Sequence, residues 1–225
     1  AVQVNPTINP SPIDNNKATT DGGGIFSQDA TQLAINTSNI TNNEANFGGG
    51  VYLTDVTGVT ITSTTIATNR ANFGGGGLWA NNGTMFGLTA STVSGNFAAA
   101  TGGGINTQAS SAVIINSTIS GNLTNGLGGG IFAAIPNGRS MNIQYSTITK
   151  NTSNFDAVGG GPGGGIYLAN GSGDVDLKNT IIAGNNDFTN TAPDIDNTSA
   201  GVHPTLTTSF TLVGNNKGSG LAAVL

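Results

Sequence analysis

The chain has 225 residues, of which only 8% are charged and 36 are glycine, with a formal net charge of −5 and no cysteine. An acidic chain with no basic stripe has no means of neutralising phosphates, which argues against nucleic acid and anionic membranes as partners. The absence of any run of 18 apolar residues argues against a membrane-spanning helix.

In chain order, the first segment, AVQVNPTINPSPI, carries Pro6, Pro10 and Pro12. Prolines cannot donate ladder hydrogen bonds, so residues 1–15 read as an N-terminal cap or first strand. The chain starts at Ala1 without the basic and apolar regions of a signal peptide, which fits a processed or excised fragment. A paragraph of about 26 residues then repeats, each ending in an apolar residue, two spacers and Asn, followed after a short gap by glycines. The asparagines are Asn16, Asn43, Asn69, Asn96, Asn122, Asn151, Asn185 and Asn215, in steps of 27, 26, 27, 26, 29, 34 and 30. A fixed period of this length marks a solenoid, and its continuity predicts a single domain over residues 1–225.

The stretch from Gly102 to Asn122 serves as the type repeat. Ile105 follows the glycines, a polar turn covers Gln108 to Ser111, and two β-branched segments follow, Ala112 to Ile115 and Ser117 to Ser120. Segments this short and β-branched are strands rather than helices. The expected fold is therefore all-β, a parallel β-helix (β-solenoid) of about seven coils with three short strands per turn. Stacked coils place equivalent residues about 4.8 Å apart, so each alignment column is a ladder. Three aliphatic columns form the expected core. They are Ile13, Ile40, Ile66, Val93, Ile119, Ile148, Ile182 and Leu212; Ile35, Ile61, Leu88, Ile114, Ile143 and Leu177; and, after the glycines, Ile25, Val51, Leu78, Ile105, Ile131 and Ile166. The Asn column reads as a structural ladder, because a side-chain amide both donates and accepts. The glycines read as corners requiring close backbone approach.

Two insertions break the period, TSNFDAVGGGPG after Asn151 and a longer loop over residues 186–209 before the last coil. Insertions in solenoids map to loops and often to the binding side. The second contains Asp187, Asp194, Asp196 and the only histidine, His203, and just before Asn185 lie Asp174 and Asp176, two apart and so on one strand face. These are the candidates for polysaccharide hydrolysis or lysis, although no Arg or Lys accompanies them at a fixed spacing. No cofactor is expected, and calcium, which such acids can hold, lacks the nonapeptide Gly/Asp repeat that marks it. The chain finishes on GSGLAAVL, an apolar, uncharged end able to pair with another molecule.

Two outward arrays are candidates for binding. Beside the post-glycine column lie Phe26, Tyr52, Trp79, Asn106, Phe132 and Tyr167. Alternation turns this column away from the core, and a buried Asn106 would be costly, so the aromatics are expected outside or at a corner. There they form a surface for sugar rings or lateral contact, or simply hold register. A second group, Phe47, Phe73, Phe97 and Phe155, reads as a staple over the bend. Thr65, Thr92, Thr118 and Thr147, with Thr41, Ser94, Ser120 and Thr149 two residues on, resemble the Thr arrays of ice-binding solenoids, interrupted by Asn39, Ala67, Ile181 and Ala183.

The motifs STISGN (Ser117 to Asn122), GGGIYL (Gly163 to Leu168) and NTIIAGN (Asn179 to Asn185) resemble the right-handed parallel β-helix repeats of large bacterial surface proteins. These include polymorphic outer-membrane proteins and the STISGN-repeat proteins of cyanobacteria and other environmental bacteria. PDI (Pro193 to Ile195) and FTLVGNN (Phe210 to Asn216) are similar to the segments that close such arrays, though without their cysteine. The resemblance implies a right-handed helix and a secreted or cell-surface protein. The expected function is a non-enzymatic extracellular scaffold or filament-forming subunit with an adhesive role, self-associating end to end or continuing into further coils of a longer precursor. A carbohydrate-binding module with a polysaccharide partner, a polysaccharide-processing enzyme and an ice-binding protein stand as alternatives.

Overall fold

The computed structural model describes residues 6–108, 110–158, 161–171, 173–189, 191–198, 201–202 and 204–221. Among these the regular elements are short strands, paired only in parallel and stacked coil on coil into four sheets. Sheet I follows the glycines, running from Ile25–Gln28 through Val51–Thr54, Leu78–Asn81, Ile105–Gln108, Ile131–Ala134 and Ile166–Leu168 to Ile195–Asp196. Sheet II, with eight strands, begins at Thr7–Ile8 and Leu33–Asn36 and ends at Asp174–Lys178 and Thr205–Ser209. Sheet III runs from Pro12–Asp14 to Leu212–Val213, and sheet IV from Glu44–Phe47 to Asn186–Asp187.

Each full coil therefore has four short strands where the sequence predicts three. Sheet IV escapes sequence reading because it shrinks to two residues at Phe97–Ala98 and Leu123–Thr124. Its inward column is small, Ala45, Ala71 and Ala98, followed by Thr124 and Ser153, and gives no aliphatic signal. The three predicted aliphatic columns do form the core, and from Ile35 to Ile182 their members are withdrawn from water. Fully burying one such side chain contributes about 1.5–3 kcal/mol, so the coils are held chiefly by these columns.

The last coil departs from prediction by one residue. Ile181 pairs with Leu212 and Ile182 with Val213, so Val213 continues the inward column while Leu212 points out and is 58% exposed. Residues 186–209 are more than a loop, since they contribute the closing strands of sheets IV and I and the last strand of sheet II. At the other end, residues 7–8 and 12–14 are the first strands of sheets II and III, paired with Leu33–Asn36 and Asn39–Thr41.

The bends are set by left-handed residues and by a second ladder that the sequence reading misses. Between sheets II and III, Thr37, Ser63, Ala90, Asn116, Tyr145, Asn179 and Phe210 all have φ between 48° and 51°. Immediately after each stands a hydroxyl residue, Ser38, Thr64, Ser91, Ser117, Ser146, Thr180 and Thr211, whose Oγ donates to the carbonyl two residues back. From Ser38 to Ser146 each hydroxyl also accepts the backbone N–H of the coil before. The hydroxyl thus supplies the hydrogen bonds that the chain loses on turning.

Candidate functional site

The asparagine column is built as an amide ladder of fixed polarity. Each Asn from Asn16 to Asn151 donates its backbone N–H and its Nδ2 to the Oδ1 of the next, at 2.9–3.1 Å. The other Nδ2 hydrogen goes to a carbonyl one coil back, as from Asn96 to Ile66. An interior rung such as Asn96 thereby has both donors and the acceptor of its amide engaged. The glycine before Ile105 follows from this geometry, because a Cβ on Gly104 would lie 2.9 Å from the Asn122 amide nitrogen.

The ladder does not end on Asn215. Asn185 gives its N–H and Nδ2 to Oδ1 of Asp194, at 3.1 and 2.8 Å, and the backbone N–H of Asn215 goes to Oδ2 of the same carboxylate at 2.6 Å. Asp194 stands where earlier coils have their third glycine, one residue before Ile195, which pairs with Ile166. Its side chain fills the slot that a last asparagine would occupy. Counting from the hydroxyl ladder, Thr211 puts Asn216 rather than Asn215 in register with the column, and Asn215 is left exposed.

The aromatic column is not the continuous outer surface predicted. Phe26 and Tyr52 stack at 5.5 Å with a 2° angle, and Phe132 and Tyr167 stack at 5.5 Å and 17°. Between these pairs Trp79 is only 7% exposed and Asn106 fully buried, and Phe132 itself is 8% exposed. The segment leading into the glycines covers Trp79 and Asn106. Phe47 meets the Trp79 ring edge-on at 4.8 Å and stacks on Phe73 at 5.1 Å, and Thr101 accepts a 2.7 Å bond from Asn106 Nδ2. Asn106 Oδ1 and Trp79 Nε1 have no partner. Rings stacked along the helix axis cover one another's faces and turn their edges outward, whereas sugar stacking needs open faces. Only Phe26, at 51%, keeps substantial exposure among the aromatics Phe26, Tyr52, Trp79, Phe132 and Tyr167. Of the predicted staple, Phe97 belongs to another column, with the Arg70 guanidinium 4.5 Å from its ring centroid. Phe155 in the first insertion packs edge-on against Phe188 in the second at 6.2 Å, so the two insertions meet.

The acidic candidates fall into two groups. Asp174 and Asp176 share the outward face of one strand, as alternation requires, and Lys178 completes that face with a 2.7 Å ion pair to Asp176. This lysine, two residues on, supplies the cation the sequence reading does not assign. Its hydrogen bond, followed by that of Thr207, holds the Asp176 carboxyl below the usual range. Asp187, Asp194 and Asp196 are instead buried to 1%. Asp187 accepts from Thr189 Oγ1 and from the backbone N–H of Thr191 and Ala192, and Asp196 from Thr198 N and Oγ1. His203 lies outside the described residues. Among the described residues no group of three His, Cys, Asp or Glu is placed to hold a metal ion.

Two outer faces remain. On sheet III, Thr65, Thr92, Thr118 and Thr147 form a half-buried outward column that Ile181 and Leu212 take over in the last two coils. On the N-terminal half of sheet II lies a groove of about 450 Å³, lined among others by Pro6, Ala34, Thr60, Met85, Gly87 and Val113. Its only sequence signal is the small outward pair Ala34 and Gly87, which leaves space between larger neighbours.

A family description of the right handed beta helix region matches residues 11–222. No curated protein and no solved structure matches the chain. With parallel sheets stacked coil on coil and a family match across nearly its whole length, the chain belongs to the right-handed β-helix family.

Proposed function

We propose that this β-helix is a non-enzymatic structural element of the cell exterior, a scaffold or spacer in a surface or matrix assembly that extends through stacked coils. The observation that carries this reading is where the polar side chains are spent. The Asn amides, the corner hydroxyls and the buried aspartates Asp187, Asp194 and Asp196 are all bonded within the solenoid. A nucleophile, base or metal ligand needs free lone pairs facing a substrate, and these groups have theirs engaged.

A second reading, a carbohydrate-binding module, is favoured by the sheet II groove, whose volume falls within the usual range for small-ligand sites, about 300–1,000 Å³. Co-sedimentation with insoluble glucan, xylan and chitin, product release from pectate and alginate, and immunogold imaging of the producing cells separate the readings. The scaffold predicts surface labelling with neither retention nor release. Retention abolished by Met85→Lys would replace it with the binding module, and release abolished by Asp174→Asn would replace it with an enzyme.

A further inference from the structure

The hydrogen-bond polarity of the ladders makes the two ends chemically different. At the C-terminal end three columns stop on buried aspartates. Asp194 closes the amide ladder, Asp196 pairs with Tyr167 and closes the aromatic column, and Asp187 pairs with Ser153 and closes the inward column of sheet IV. A carboxylate accepts but does not donate. Any further Asn stacked beyond Asp194 would present an Oδ1 that needs two donors. The carboxylate has none, and the Asn215 N–H at that corner is already given to Asp194.

The N-terminal end has the opposite character. Asn16 donates inward to Asn43, and its own Oδ1 accepts nothing among the described residues. That oxygen is the acceptor to which the rung immediately before it in such a ladder would donate. Beside it Phe26 is open, and Ile8 and Ile13 are only partly covered although they continue core columns. Pro12 withholds one edge-facing donor from sheet III. The aliphatic columns are partly covered at both ends, by Ile8 and Ile13 here and by Leu206 and Val213 at the other, so the ends differ in the amide and aromatic columns, which are unfinished only here.

We propose that the solenoid is one-ended: its N-terminal face docks a further β-helix coil with Asn at the rung, aliphatic side chains over Ile8 and Ile13 and a ring over Phe26, and its C-terminal face does not. A second copy offers only its sealed end for head-to-tail stacking, so the occupant is a coil with an uncapped face. The scaffold role gives this docking its use, but stacking is measurable whether or not the protein works at a cell surface.

The test inserts the chain's own coils in register in the full-length protein. One variant carries a copy of residues 34–59, which brings Ile35, Ile40, Asn43 and Tyr52 over Ile8, Ile13, Asn16 and Phe26, between Pro6 and Thr7, the other a copy of residues 44–69 after Asn216. In a solenoid each added coil contributes its intrinsic stability plus a neighbour interface, and the urea m-value grows with the surface exposed on unfolding. The N-terminal insertion is expected to unfold in one transition with a higher midpoint and an m-value larger by about one-tenth. Its inserted amides should be protected from hydrogen exchange, and Asn16→Ala should abolish the gain. The C-terminal insertion is expected to leave midpoint and m-value at parental values, with its amides exchanging freely. Equal gains from both insertions, or a gain at the N-terminal end that survives Asn16→Ala, would overturn the proposal. So would unprotected amides in the N-terminal insert.

Discussion

The last coil and the first coil handle the same problem, the end of a stack of ladders, in opposite ways. The last coil turns side chains that could have continued outward into acceptors and folds its own backbone N–H groups onto them, as Thr191 and Ala192 do on Asp187. The first coil leaves Asn16 exposed and its acceptor open, and relies on Pro12 and on polar bonds across its surface, such as Lys17 to Glu44 at 2.8 Å. Termination in a β-solenoid is thus a matter of donor and acceptor count as much as of covering apolar surface. A stack ends where no donor is left to offer.

The sharpest way to break this contrast is to remove the terminal acceptor at each end. Asp194→Ala strands three donors, two buried ones from Asn185 and one from the exposed Asn215, and is expected to cost on the order of 3 kcal/mol. Asn16→Ala, in an exposed rung, is expected to cost less than about 1 kcal/mol. Urea midpoints of the two variants give the answer, and similar losses would mean that the ends are alike. Between the ends, Asn96→Ala strands the Asn69 N–H and Nδ2 and should cost about 2 kcal/mol, measured the same way. A change of opposite sign is expected at Thr107, which lies in the inward column of Leu53, Ala80, Ala133 and Leu168 with its hydroxyl buried and unpartnered. Thr107→Val removes that unsatisfied group at nearly constant shape and should raise stability by about 1 kcal/mol.

The smallest effect is in acid and falls toward the two ends, on Asp14 and Glu44 in the first coils and on Asp176 in a late one. The Asn42 amide, then the Thr41 hydroxyl, holds the Asp14 carboxyl below its ordinary 3.8, and the Lys17 hydrogen bond holds Glu44 below 4.5. A depressed folded-state pKa gives stabilisation that is present above the ordinary value and lost as pH falls through the folded one. Amide protection in Asn39–Thr41 should therefore weaken below about pH 4 before that of the central coils. Asp14→Asn should remove part of this dependence, and uniform loss along the helix would count against it.

The period and the three aliphatic columns were legible from the sequence because each coil repeats the same side-chain environment, so a structural column is also an alignment column. The same logic hid sheet IV, whose Ala45, Ala71 and Ala98 carry too little hydrophobicity to register, and the corner hydroxyls, which resemble any exposed Ser or Thr until Ser91 and Ser117 are found buried. Where the repeat slips, alignment by motif chose wrongly. Asn215 and Leu212 match the motif spacing, but sheet pairing selects Asn216 and Val213.

By itself, then, the sequence determined a parallel β-solenoid and its core, since local strand propensity and a fixed period leave few other ways to bury those side chains. Only the tertiary structure decided which outward residues are covered and how the stack ends. Trp79 and Asn106 are hidden by segments that precede the glycines. Asp194 takes a rung from across a corner, nine residues beyond Asn185. Both depend on contacts between coils and on which atom donates to which, and these are fixed by three-dimensional stacking rather than by any residue's own preference.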